Sequence, residues 1–235
     1  MLIRQRDLGE ADRLLTFFTR ERGQVSAVAR GVKRARSKLA PVLQLFAHAR
    51  VQLAAGRSLD VVTQARPEEM FCHLREDMGR YACACYVAEM TRVMTEEGAA
   101  AEWVFELLAA TLKGLDAGGE AATLTRGFEL KLLTGLGYGP ELGACVSCGV
   151  EVENQPGGFS VPEGGVLCRR CGRREGAPLS RAGLLGMRDL VGLPQEELGG
   201  RRLTEKVRQE LERLLRRFVD YRLERPLRSA SFLPR

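Results

Sequence analysis

The chain has 235 residues, 45% hydrophobic and 28% charged, the composition of an ordinary globular protein of one large or two small domains. Its net charge is +6 and its isoelectric point about 9.1, a balance that attracts polyanionic partners. No segment reaches the ~20 mostly apolar residues of a transmembrane helix, and Arg4 and Arg6 interrupt the start where a signal peptide needs an apolar stretch, so neither is expected.

Residues 1–66 read as a β-domain. Strands are predicted over 2–5, 14–19, 24–30, 44–53 and 59–65, with turn signals at Gly9, Gly23 and Gly56. In the third strand Val25, Ala27 and Ala29 share a face. The fourth alternates over ten residues: Leu45, Ala47, Ala49, Val51 and Leu53 point one way, Gln44, His48, Arg50 and Gln52 the other, and Phe46 is the exception. Residues 37–43 are enough for a short helix. Five strands with a helix after the third is the order of a small Greek-key barrel, the OB-fold, whose closure removes long unpaired edges.

The charge is concentrated in the same region. Arg20, Arg22, Arg30, Lys33, Arg34, Arg36 and Lys38 stand against Glu21 alone between positions 20 and 38, which is the whole net excess of the chain. Ligands of OB barrels cross strands two and three and the neighbouring loops. This run covers the turn between those strands and the loop after the third, so a nucleic-acid path is expected there. Arginines pair with phosphate bidentately, whereas Lys33 and Lys38 act as point charges. Phe17, Phe18 and Phe46 are assigned to the core instead of to base stacking. Backbone contacts then dominate, giving weak sequence preference and strong salt dependence.

From residue 67 to 235 the period becomes helical. Helices are predicted over 77–95, 102–115, 124–136, 180–191 and 204–223, the fourth with Ser180 as N-cap. Val104, Leu107, Leu108, Thr111 and Leu115 form one apolar stripe; Val207, Leu211, Leu214, Leu215 and Phe218 form another. Gly135, Gly137 and Gly139, followed by Pro140, end the third helix and do not open one after a strand, so they read as a helix stop and not as a nucleotide loop. Cys83 and Cys85 lie two apart on a helix and face different ways, as small core or partly buried residues.

Between the third and fourth helices stand Cys145, Cys148, Cys168 and Cys171, a C-x2-C-x19-C-x2-C pattern. Two CxxC turns present four soft donors to one tetrahedral Zn²⁺ and leave no position for water or substrate, which marks a structural site. Gly149 and Gly172 each follow the second cysteine of a pair, where a turn must tighten around the metal. The finger, residues 144–176, is poor in large apolar side chains. Zinc, worth ~10–16 kcal/mol in such sites, is therefore expected to hold it folded. Arg169, Arg170, Arg173 and Arg174 surround the second pair and offer either a secondary nucleic-acid contact or a solvated knuckle. With Cys72 the cysteines number seven, an odd count without a disulfide framework, which indicates a reducing cytoplasm.

No P-loop is present, the two histidines His48 and His73 have no arguable Ser or Cys partner, and the zinc-deaminase pattern is missing, so no enzyme is expected. The residues describe an α+β protein: an N-terminal five-stranded OB-fold β-barrel, then an α-helical domain with an inserted four-cysteine zinc finger. A zinc-containing RNA-binding or translation-associated module and a zinc-dependent hydrolase are the alternatives to a DNA-binding role.

Several segments then resemble a known family. Residues 9–19, Gly-Glu-Ala-Asp-Arg-Leu-Leu-Thr-Phe-Phe-Thr, with Gly23 resemble the opening of the bacterial recombination mediator RecO, as do Arg30-Gly31-Val32-Lys33 and Tyr86-Val87-Ala88-Glu89-Met90. So do residues 128–133, Phe-Glu-Leu-Lys-Leu-Leu, running into Gly137-Tyr138-Gly139-Pro140; the two cysteine pairs with Phe159-Ser160 and Gly164-Gly165 between them; and Arg228-Ser229 near the end. The resemblance implies binding of single- and double-stranded DNA, annealing of complementary strands and partnership with RecR. It also implies assistance in loading RecA onto DNA coated by single-strand-binding protein, whose acidic-hydrophobic tail docks on the helical domain. These are cytoplasmic, nucleoid-associated roles.

Overall fold

A computed structural model describes residues 1–234. They fall into two compact units, Met1–Ala117 and Gly118–Arg235.

The first unit begins with β1 (Leu2–Leu8), β2 (Asp12–Thr19), β3 (Gly23–Ala29), β4 (His48–Ala54) and β5 (Asp60–Glu69). The sheet runs β1-β2-β3-β5-β4, antiparallel throughout except for the parallel β3–β5 pair. The ends of this sheet meet. The Leu2 N–H donates to the Ala47 carbonyl (3.0 Å) and the Phe46 N–H donates to the Leu2 carbonyl (2.8 Å), so β1 bonds to the segment that enters β4. That connectivity is the partly open five-stranded barrel the sequence predicts. Its interior is Leu2, Leu15, Phe17, Ala27, Ala29, Leu43 and Val62, supplied by alternate positions of the strands and the β3–β4 connection.

Three local expectations change. Residues 37–43 form turns, not a helix: the Val42 and Leu43 N–H groups both donate to the Leu39 carbonyl, and Pro41 has no N–H to extend the ladder. Strand β4 starts at His48 and not at residue 44, because Phe46 is buried at φ 71, a left-handed conformation that a strand cannot contain. Strand β5 also continues past Pro67. The proline pairs with Ala49 well beyond the short stretch where β3 flanks the strand, so its missing N–H costs no ladder bond on that side.

Helices α1 (Met78–Met94) and α2 (Glu102–Asp116) complete the unit. Asp77 caps α1 by accepting the Arg80 N–H at 2.9 Å. Helix α1 packs on β1 and α2 on β2, with Tyr86, Val87, Met90, Val104, Leu108 and Leu112 buried. The β2–β3 turn is sewn to the end of α1: the Gln24 side-chain amide donates to the Arg92 and Thr95 carbonyls, and a Cβ on Gly23 would sit 1.9 Å from the Ala99 carbonyl oxygen. Phe17, Phe18 and Phe46 are all buried, so none can stack on a base.

The second unit contains α3 (Ala121–Gly135), a hairpin of β6 (Gly158–Ser160) and β7 (Gly165–Leu167), α4 (Arg169–Glu175), α5 (Arg181–Gly192) and α6 (Glu205–Leu223). Leu124, Phe128, Leu132, Leu184, Met187, Leu211, Leu215 and Phe218 form its buried interior, the stripes that the 3.6-residue period requires. Gly137 ends α3 at φ 82 while the Tyr138 N–H donates back to the Leu133 carbonyl at 2.8 Å, the helix stop anticipated for the glycine run. Ser180 caps α5 through the Gly183 N–H. Among the described residues no helix is long and apolar enough to cross a membrane.

Candidate metal centre and nucleic-acid interface

The four cysteines of the two CxxC pairs converge. Their Sγ atoms all lie within 4.8 Å of one another, and Cys148 and Cys168 are 3.8 Å apart. A tetrahedron with metal–sulfur bonds of ~2.3 Å has sulfur–sulfur edges of ~3.8 Å. The four thiols therefore fit one tetrahedral ion such as zinc.

Each knuckle is built by backbone hydrogen bonds. In the first, the Cys145 N–H donates to the Val150 carbonyl and the Gly149 N–H returns to the Cys145 carbonyl, both at 2.8 Å, with Gly149 at φ 74. The Glu141 carboxylate launches this turn by accepting the Gly143 and Ala144 N–H groups (2.6 and 3.0 Å), which hold its pKa below the ordinary carboxylate value. In the second, Cys168 is the residue before α4, and the Gly172 N–H to Cys168 carbonyl bond is the first turn of that helix. Gly172 is thus not a left-handed turn residue as its position after the cysteine suggests. It is glycine because a Cβ there would lie 2.4 Å from the backbone of Gly157.

The connecting stretch holds more apolar packing than its composition implies. Val152, Phe159, Val161, Val166 and Leu167 are buried, and the Phe159 ring meets Phe218 of α6 edge-on at 5.6 Å. Arg188 of α5 ties the first knuckle down by donating to the carbonyls of Leu142 (2.7 Å), Val152 (2.7 Å) and Glu153.

Burial opposes ionisation of Cys145, but the N–H groups of Cys168, Ser147 and Cys148 outweigh it and bring the thiol to about 6. The Val150 N–H favours the Cys148 thiolate, yet the neighbouring thiols, Cys145 foremost, and desolvation push that group up to about 11. A bound cation relieves this conflict by drawing the protons off. Arg170 hydrogen-bonds the Cys171 sulfur, which raises the guanidinium pKa. Arg169, Arg173 and Arg174 are exposed and have no ion-pair partner among the described residues.

The basic run of the first unit divides in two. Arg20 pairs with Glu106 (2.5 Å) and Glu102 (3.9 Å) and lies over the Phe105 ring, and Arg22 approaches Asp60 (3.9 Å). Both sit at the β2–β3 turn. Arg30, Lys33, Arg34, Arg36 and Lys38 lie at the opposite end of those strands, ~20–25 Å away for strands of this length. There the loop after β3 docks on the β1–β2 turn: the Gly31 N–H donates to the Asp12 carboxylate (2.7 Å) and the Lys33 N–H to the Ala11 carbonyl (3.0 Å). Arg30, Arg34, Arg36 and Lys38 are without ion-pair partners among the described residues, while Lys33 bonds Asp7 at 2.9 Å.

Two further arginines lie along the strands between these two ends. Register places Arg4 opposite Thr16 and Ser26, and Arg6 opposite Leu14 and Val28, so both share the outer face of β1–β3. Their i, i+2 spacing in the first strand was the available signal. Arg13, opposite Asp7, faces the barrel mouth.

Comparison with known proteins covers the barrel, the helices and the four-cysteine segment. The recombination protein O N-terminal model matches residues 1–71 and the recombination protein O C-terminal model residues 75–231. DNA repair protein RecO of Symbiobacterium thermophilum is 41% identical over 241 residues, covering 99% of this chain and 94% of the relative. The RecO protein of Roseiflexus sp. is 40% identical over 235 residues (99% and 83%), and that of Pelotomaculum thermopropionicum 37% over 237 (100% and 92%). Two family models laid end to end, the first over the five-stranded barrel and the second over the helices and the four-cysteine cluster, with relatives matched along most of their length, place this chain in the RecO family.

Proposed function

We propose that this protein is a non-enzymatic DNA-repair and recombination mediator of the cytoplasm, acting at the nucleoid. It binds single- and double-stranded DNA, anneals complementary strands, and with RecR assists RecA loading on DNA coated by single-strand-binding protein. Family membership supports the class of function, since the relatives are named DNA repair proteins. The observation that carries the DNA contact is the loop from Arg30 to Lys38, whose cations are fixed at the barrel end by the Gly31 and Lys33 backbone bonds.

Annealing requires that the mutual repulsion of two phosphate chains be lowered while their bases stay free to pair. Five loop cations supply the neutralisation, and the burial of Phe17, Phe18 and Phe46 leaves bases unstacked. Five phosphate contacts on a single strand give a log–log salt slope of about −3.5. Cys145, Cys148, Cys168 and Cys171 hold the structural zinc, whose contribution is to fix the two knuckles. A groove of about 630 Å³ in the second unit, lined by Leu179, Leu214, Lys206, Arg213 and Arg217 with Glu210 as its single carboxylate, suits the acidic-hydrophobic tail of single-strand-binding protein.

The test is annealing of complementary oligonucleotides coated by single-strand-binding protein, comparing the wild type with Lys33→Glu/Arg34→Glu/Arg36→Glu. The variant should lose DNA affinity, salt dependence and annealing together. Undiminished annealing by a correctly folded variant overturns it.

A further inference from the structure

Lys33 and Arg13 differ from the other cations at the barrel end. Their side chains are 29% and 31% exposed and converge on one carboxylate: Asp7 accepts from the Lys33 ammonium at 2.9 Å and from the Arg13 Nε at 3.1 Å. The three positions are rigidly set. Asp7 and Arg13 are directly paired across the β1–β2 ladder, and Lys33 is pinned through its own N–H to Ala11. A second arginine nitrogen, Nη1, reaches the Gln5 side-chain oxygen at 3.4 Å. A carboxylate and a phosphodiester offer these donors the same thing, two anionic oxygens about one hydrogen-bond length from a lysine and an arginine fork.

We propose that Arg13 and Lys33 form a preorganised seat for a nucleic-acid backbone phosphate, and that Asp7 occupies it as an internal counter-anion that DNA must displace. The inference deepens the DNA-binding reading and rests on it. Asp7 keeps both cations oriented while the chain is free, so little side-chain entropy is lost when phosphate arrives. It also sets a threshold: an isolated anion competes poorly with a carboxylate fixed on the same sheet, whereas a polymer already held by Arg30, Arg34, Arg36 and Lys38 presents its next phosphate at high local concentration. The Lys33 and Arg13 hydrogen bonds hold the Asp7 carboxyl below its ordinary pKa, so the clasp stays charged at neutral pH.

The experiment measures binding of a labelled oligothymidine strand across a range of salt for the wild type, Asp7→Asn and Glu10→Gln. Glu10 is exposed in the adjacent turn and has no ion pair among the described residues, so its variant makes the same charge change without freeing a cation. Asp7→Asn is expected to bind several-fold more tightly than Glu10→Gln at a nearly unchanged salt slope, because the same phosphate is seated without a carboxylate to displace. Adding Arg13→Gln and Lys33→Gln to Asp7→Asn should abolish the gain. Arg13→Gln alone should weaken binding and flatten the slope by about 0.7, which tests the seat even if Asp7→Asn folds poorly. Asp7→Asn no tighter than Glu10→Gln, with wild-type binding intact, overturns the clasp alone. Absence of binding by the wild type overturns the DNA reading and the clasp with it.

Discussion

Removing the metal should unfold the two knuckles and spare the hairpin between them. Residues 146–150 bury no side chain, and Val150 is 52% exposed. Helix α4 has seven residues, well short of the ~12–15 at which an isolated helix becomes even marginally stable. Apart from the Arg188 and Glu141 hydrogen bonds at their margins and the Val146 N–H bond to the Val166 carbonyl, little but an ion can hold these segments, and the ~10–16 kcal/mol of a structural zinc site would fall on them. The hairpin has its own support. Val152, Phe159, Val166 and Leu167 are buried, each stabilising by ~1.5–3 kcal/mol. Hydrogen exchange on metal-free, reduced protein reads the difference amide by amide. The Gly149 and Gly172 amides, bonded only to the Cys145 and Cys168 carbonyls, should fall to within about tenfold of unprotected exchange. The Phe159 and Val166 amides, bonded to the Ala177 and Glu141 carbonyls, should remain protected, as should α6. Protected knuckle amides without metal would falsify the claim that the ion holds them. Collapse of the hairpin together with α6 would refute the independent packing.

Arg188→Ala leaves the Leu142, Val152 and Glu153 carbonyls without their charged donor and should destabilise the second unit by ~2–3 kcal/mol, read as a lowered urea midpoint at unchanged slope. Burial brings the Lys131 ammonium down to about 8 from its ordinary 10.5. Between those values the unfolded chain binds more protons than the folded one, so stability should rise with pH across that window. Lys131→Met should flatten this rise in denaturant titrations at successive pH values; an unchanged rise would show that another group causes it.

Where pattern and contact are local, the sequence was readable. A CxxC pair sets its own turn, so the metal ligands and their convergence follow from spacing, and the apolar stripe of α6 was found buried residue for residue. Alternation located the third and fourth strands, but Phe46 shows its reach: a run that alternates through ten residues is cut by one left-handed residue buried in the fold. Gly172 looked like a turn glycine, and the approach of Gly157 from outside the knuckle is what requires it.

The chain by itself determined how much positive charge there is and which thiols can share an ion. Only the tertiary structure decided which of those charges are already paired within the chain. Arg20 is matched by Glu102 and Glu106 from a helix over eighty residues away, Arg22 by Asp60, and Lys33 by Asp7. Periodicity reports which face a residue takes on its own element. Ion pairing depends on which elements the folded backbone brings within a few ångströms, and no local pattern encodes that distance.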